Sequence, residues 1–164
     1  MLIFTKMNQI SLFLLTICFI TFSINAQEKK NYQINKIDQT IEVDGFLNET
    51  FWKDAQTATN FTQFQPNIGN TLADNKKTEV KMAYSDNAVY IAAKLYDDPD
   101  KMLNQIRARD DFGQTDYFRV ILNPNNDAQN DTHFFVFSSG TQADAIASPT
   151  LGTDFGWDSV WYSA

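Results

Sequence analysis

The stretch Thr78–Asp98 constrains the fold most, because its two halves alternate at period two about a short polar turn. In the first half Thr78, Val80, Met82 and Tyr84 point one way, and Glu79, Lys81 and Ala83 point the other. That period is what a half-buried strand requires. Ser85-Asp86-Asn87 supplies the turn, since Asp and Asn tolerate left-handed backbone and bond their own chain. The return half sets Val89, Ile91, Ala93 and Leu95 against Tyr90, Ala92, Lys94 and Tyr96. Ala92-Ala93-Lys94-Leu95 would also suit a helix, but the β-branched and aromatic residues around it favour a hairpin.

The chain opens differently. Lys6 precedes an almost unbroken apolar run from Ile10 to Ile24, followed by Asn25-Ala26-Gln27. A charged start, a short apolar core and a small residue before a polar stretch describe a secretory signal peptide over residues 1–26. The run is short for a membrane span, and an uncleaved anchor is the alternative. Cys18 follows Ile17 rather than a small residue, which argues against a lipoprotein. Removing residues 1–26 from the 164 leaves a single domain of 138, residues 27–164, and takes away the one cysteine. An exported domain without disulfides needs an adequate core of its own. It suits a bacterial envelope: periplasm, outer membrane or extracellular space. Losing Lys6 leaves 12 basic residues against 20 acids, a net charge of −8. Such a surface repels phosphate backbones and argues against nucleic acid as a partner.

The rest of the chain alternates short extended segments with turns. Tyr32–Ile37, Ile41–Val43, Asn60–Gln65, Tyr117–Leu122, His133–Ser138, Gln142–Ala147 and Trp157–Ser163 read as strands. Leu47–Ala55 reads as about two helical turns, with Asn48 as cap and Trp52 in the core. Pro66–Lys77 is an exposed loop, and Met102–Asp111 is ambiguous, with Arg107 and Arg109 on one side if extended. Many short strands, one short helix and no βαβ rhythm predict an all-β, antiparallel β-sandwich. Because the chain stops within the last of these strands, the expectation is a sandwich truncated at its C-terminus.

Catalytic signals are sparse. His133 is the only histidine, and it sits on a strand with no nucleophile elbow in the chain, so it reads as a strand residue near the surface. Zinc sites built on several histidines are excluded for the same reason. Paired carboxylates could serve a glycosidase, but none stands in a recognisable setting. Asp97, Asp98 and Asp100 gather in one turn and are candidate ligands for a structural calcium ion, against the alternative of solvated loop acids. Trp157, Ser159 and Trp161 fall on one side of their segment. A flat ring there can lie against the C–H face of a sugar, although core packing is the better explanation of each ring taken alone.

Taken in order, these motifs are similar to a known family. Ile41-Glu-Val-Asp-Gly-Phe-Leu-Asn-Glu-Thr-Phe-Trp52 resembles the opening motif of family 9 carbohydrate-binding modules. Thr78-Glu-Val-Lys, Tyr84–Tyr90 and Tyr96-Asp-Asp-Pro99 resemble its central hairpin, and Asp116–Asn123 its next strand. Arg107–Asp110, Phe135–Gly140 with Asp144, and Trp157–Trp161 resemble a variant found ahead of outer-membrane β-barrel regions in Gram-negative envelope proteins. The resemblance implies a β-sandwich that grips xylan- or cellulose-type chains without cleaving them, with calcium bracing its loops. Any O-glycosyl hydrolase activity would belong to a larger parent protein.

The family's first clamp tryptophan lies just before the position of Asp116, where this chain carries Asp111-Phe112-Gly113-Gln114-Thr115. The resemblance therefore points to a loop-rim site. Phe112 would stack on an oligo- or polysaccharide, Arg107, Arg109, Asp110 and Asp116 would bond its hydroxyls, and Trp157 is a further candidate platform. The competing expectation for the charged residues is an internal ion-pair network that holds the loop. The competing role for the domain is structural, packing on a C-terminal β-barrel or catalytic domain of the same protein.

Overall fold

The computed structural model describes residues 30–164, and residues 32–164 form one compact unit. The signal-peptide reading lies outside the described residues. The chain is all-β with one short helix. In order the elements are β1 (Asn35–Lys36), α1 (Phe51–Asp54), β2 (Thr78–Tyr84), β3 (Val89–Leu95), β4 (Tyr117–Leu122), β5 (Asp131–Phe137), β6 (Gln142–Ser148) and β7 (Gly152–Asp154). They make two sheets, β1-β2-β3 and β4-β5-β6-β7. Every pairing is antiparallel except β1 with β2.

The hairpin forms as expected, in unbroken register from Thr78 opposite Leu95 to Tyr84 opposite Val89. Both of its faces are partly covered. Val80 is buried and Met82, Ile91 and Ala93 are half-buried on one, with Tyr84, Val89 and Leu95 of that face exposed, while Ala83 and Ala92 are buried on the other. Lys81 shares that second face and donates to the Trp52 carbonyl, which brings α1 over it.

In the second sheet β5 is central and carries the core. His133, Phe135 and Phe137 are buried on one face, opposite Ala145 and Ala143 on β6. Two alanines leave room for large rings from the neighbouring strand, and this large-against-small pairing fills the layer. Phe118, Val120 and Leu122 share the opposite face and are half-buried.

Several expected elements are shorter or absent. Tyr32–Ile37 contracts to β1, Ile41–Val43 forms no strand, and Asn60–Gln65 contributes one bridge, Thr62 to Thr71. The helix begins at Phe51 after Thr50, with no side-chain cap, so Asn48 does not serve. Residues 157–163 alternate in and out as expected but form no ladder, and β7 was not anticipated. Among the described residues no helix is long and apolar enough to cross a membrane.

Trp52 is 5 % exposed, and its indole N–H has no partner, so it contributes by apolar burial alone. Urea denaturation of Trp52→Ala should show a loss of about 3–5 kcal/mol. Leu151→Ala, at a side chain 91 % exposed, should stay within about 0.5 kcal/mol of the parent.

Candidate functional site

The candidate residues cluster around the free edge of β6. Strand β7 pairs only with Ile146–Ser148, which leaves the Gln142–Asp144 edge open. The loop before β4 closes it: the Asp110 amide donates to the Gln142 carbonyl, and the Asp110 carboxylate accepts from the Asp144 amide at 3.1 Å. To do both, Asp110 adopts a left-handed backbone, φ +64°, which Asp tolerates better than most residues. The chain then straddles the sheet edge. Arg109 reaches one face and Phe112 the other.

On the first face stands Asp144, 0 % exposed. Its Oδ2 accepts from Arg109 Nη2 at 2.6 Å, Trp161 Nε1 at 2.8 Å and the Ser159 amide at 3.3 Å. The same guanidinium donates to Asp158 Oδ1 at 2.8 Å and to Gln142 Oε1 at 2.8 Å. Trp157 and Trp161 lie edge-on to Phe134, with centroids 6.3 and 5.3 Å away. A buried carboxylate requires this density of donors, because desolvation without them would cost several kcal/mol or neutralise it. Even so, Asp144 Oδ1 has no partner.

On the second face Phe112 is a hub. It meets Phe135, Phe137, Phe155 and Tyr117 edge-to-face, at centroid distances of 4.9, 5.1, 5.1 and 6.0 Å. Edge-to-face pairing is the geometry the ring quadrupoles favour. Phe112 is half-buried there, while Tyr117 and Phe155 remain 47 % and 41 % exposed. The Arg119 guanidinium lies 5.6 Å from the Phe135 centroid. On the adjoining turn Arg107 pairs with Asp111 at 2.5 Å. Gly113 is required there: φ is +50°, and a Cβ would stand 2.6 Å from Gln105 Oε1 and 2.9 Å from Arg107 Cγ. Asp116 ties the loop down, accepting the Leu103 amide at 2.9 Å while its own amide donates to the Leu103 carbonyl at 2.8 Å.

The expected site is therefore divided by the sheet. Phe112, Arg107 and Asp116 belong to the aromatic side and its loop, Arg109 and Trp157 to the Asp144 side, and Asp110 to the edge between them. The four charged loop residues, Arg107, Arg109, Asp110 and Asp116, are all engaged within the domain. The two residues that complete the aromatic side, Tyr117 and Phe155, were not singled out from sequence. An exposed aromatic on the face of β4 opposite Phe118 was the available signal for the first.

Elsewhere, Asp97 pairs with Lys76 at 3.0 Å and accepts the Asp98 amide, and Asp98 pairs with Lys101 at 3.1 Å and accepts the Asp100 amide. The Asp98 amide, then Lys76, hold the Asp97 carboxyl below its ordinary range. A calcium ion in this turn would compete with the two lysines for the same oxygens. Among the described residues no three His, Cys, Asp or Glu side chains gather where they could hold a metal. His133 is 9 % exposed, more buried than a strand residue near the surface. Burial, then the charge of Arg119, pushes its imidazole below the ordinary value.

No family model, curated protein or solved structure matches the chain. The functional reading rests on the residues themselves.

Arg109→Ala strands a fully buried carboxylate and should cost about 3 kcal/mol in urea denaturation. Asp158→Ala removes an exposed partner of the same guanidinium and should cost less than about 1 kcal/mol. Because folding depresses the His133 pKa, the unfolded chain takes up that proton first. The contribution of neutral His133 is complete above the unfolded value near 6.5 and declines as pH falls below it. Urea midpoints compared at about pH 7.5 and about pH 5.5 should fall on the acid side, and His133→Asn should flatten that interval. The carboxylates held low by their partners, Glu79, Asp97 and Asp127, act only at lower pH.

Proposed function

We propose that this chain is a non-catalytic carbohydrate-binding domain, a β-sandwich of the family 9 type its motifs resemble, exported as part of a protein that handles xylan- or cellulose-type polysaccharide. The observation that carries the reading is the aromatic ledge of Tyr117 and Phe155. Both rings are half-exposed and buttressed from behind by Phe112 and Phe135. A ring held from behind presents a surface to a pyranose without losing further rotamer freedom on binding. Arg119 flanks the ledge, and its guanidinium donors suit ring hydroxyls. In this reading Phe112 supports the platform rather than forming it. Arg109, Asp110 and Asp116 hold the loop, and Trp157 belongs to the opposite face.

A second reading has a specific observation behind it. The charged loop residues already have partners inside the domain, and the hairpin leaves Tyr84, Val89 and Leu95 exposed on one face. Both features suit a structural domain that packs on a β-barrel or catalytic domain of the same protein.

Calorimetric titration with xylo- and cello-oligosaccharides separates the two. Carbohydrate binding predicts saturable heat, weakened about tenfold or more by Tyr117→Ala and much less by Trp157→Ala. An absence of saturation with every soluble glycan tried would end the sugar reading and leave the packing one.

A further inference from the structure

We propose that residues 157–163 form a strap that opens as a unit from one face of the second sheet, with Asp144 as its latch. This holds whether or not the domain binds carbohydrate. Three observations carry it.

The strap is extended, with Trp157, Ser159, Trp161 and Ser163 turned inward and Asp158, Val160 and Tyr162 outward. Yet among the described residues its backbone makes no hydrogen bond to another backbone group. A strand pinned by a ladder leaves only when the ladder breaks, whereas this segment has none to break.

The polar tethers come from one small cluster. Asp144 Oδ2 holds the Ser159 amide and the Trp161 indole, Arg109 Nη2 holds the Asp158 carboxylate and the Ser159 carbonyl, and Gln142 Nε2 holds Ser163 Oγ at 2.8 Å. Because Asp144 and Arg109 serve several of these at once, loss of one favours loss of the rest.

Closure also carries a cost that the sheet does not share. With the strap in place Asp144 is 0 % exposed and its Oδ1 is unpartnered. Opening returns both oxygens and the guanidinium to water, which offsets part of the penalty for parting Trp157 and Trp161 from Phe134. The strap therefore opens more easily than the sheet unfolds, and it uncovers the outer face of β5 at Phe134.

Hydrogen exchange on the full chain, followed by NMR, tests this. The Ser159 amide and the Trp161 indole N–H, each compared with its own intrinsic rate, should show a common protection factor, at least about tenfold below that of the β5 amides. Phe135→Leu weakens the opposite face of the sheet. It should speed the β5 amides about tenfold and leave the two strap probes unchanged. Trp161→Phe keeps an aromatic ring but removes the indole donor, and should speed the Ser159 amide about tenfold. Phe137→Leu serves in place of Phe135→Leu if that variant does not fold. Strap probes as strongly protected as β5, or that follow Phe135→Leu in step with β5, would overturn the proposal. So would a Ser159 rate indifferent to Trp161→Phe.

Discussion

The carboxylate of Asp144 sets the arrangement of everything around the second sheet. It sits on β6 between Ala143 and Ala145, all three fully buried, so the sheet has an anion in its interior and no water to share it with. A charge in that position is tolerated only if donors surround it. The chain supplies them from two directions, Arg109 from the loop before β4 and Ser159 with Trp161 from the segment after β7. Those two segments are far apart in sequence, and one side chain brings them together. The same loop closes the strand edge beside Asp144 through Asp110, which leaves that edge unable to template another strand.

This arrangement fixes what the loop can offer to solvent. Arg109 and Asp110 are occupied by β6, Asp116 by the Leu103 amide, and Arg107 by Asp111. Their charge is structural, and it steadies a loop that has only a single bridge, Asn104 to Thr115, in place of regular structure. The by-product is a fixed place for Phe112. Since Asp110 is anchored to β6, Phe112 two residues on falls against Phe135 and Phe137, and its ring in turn props Tyr117 and Phe155. A recognition surface on this face would be built from rings positioned by a charge on the other.

How much of this could be read from the sequence depends on the range of the interaction. Strands β2 to β6 were legible because adjacent hairpins encode their pairing locally, in a period of two and a turn. How far each face of the first hairpin is covered was not, since Val80, Met82 and Ile91 are covered while Val89 and Leu95 of the same face are exposed, and Ala83 and Ala92 of the other face are buried. Alternation marks which residues share a face, whereas the cover along that face comes from segments distant in sequence. The inward turn of Trp157, Ser159 and Trp161 was legible for the same reason as the strands, but alternation reports direction and says nothing about hydrogen-bond partners. Strand β7, three residues of Gly-Thr-Asp, has no apolar pattern to find. The signal for Asp144 was present: a lone acid between alanines on a strand implies a buried partner, but not which of the chain's arginines supplies it.

The two faces of the second sheet are held by forces of different character, and that difference bears on function. On one side five aromatic rings interlock around Phe112 and Phe135, contacts that are individually weak, numerous and insensitive to salt. On the other, a few short polar contacts to one carboxylate hold a segment with no ladder. Interlocked rings give way only with the sheet, while a latch can give way alone. The ledge of Tyr117 and Phe155 and the segment bearing Trp157 and Trp161 touch opposite sides of β5, through Phe135 and through Phe134. Motion of the second therefore need not disturb the first, and a ligand on the ledge would meet the same rings whether the opposite face is covered or bare.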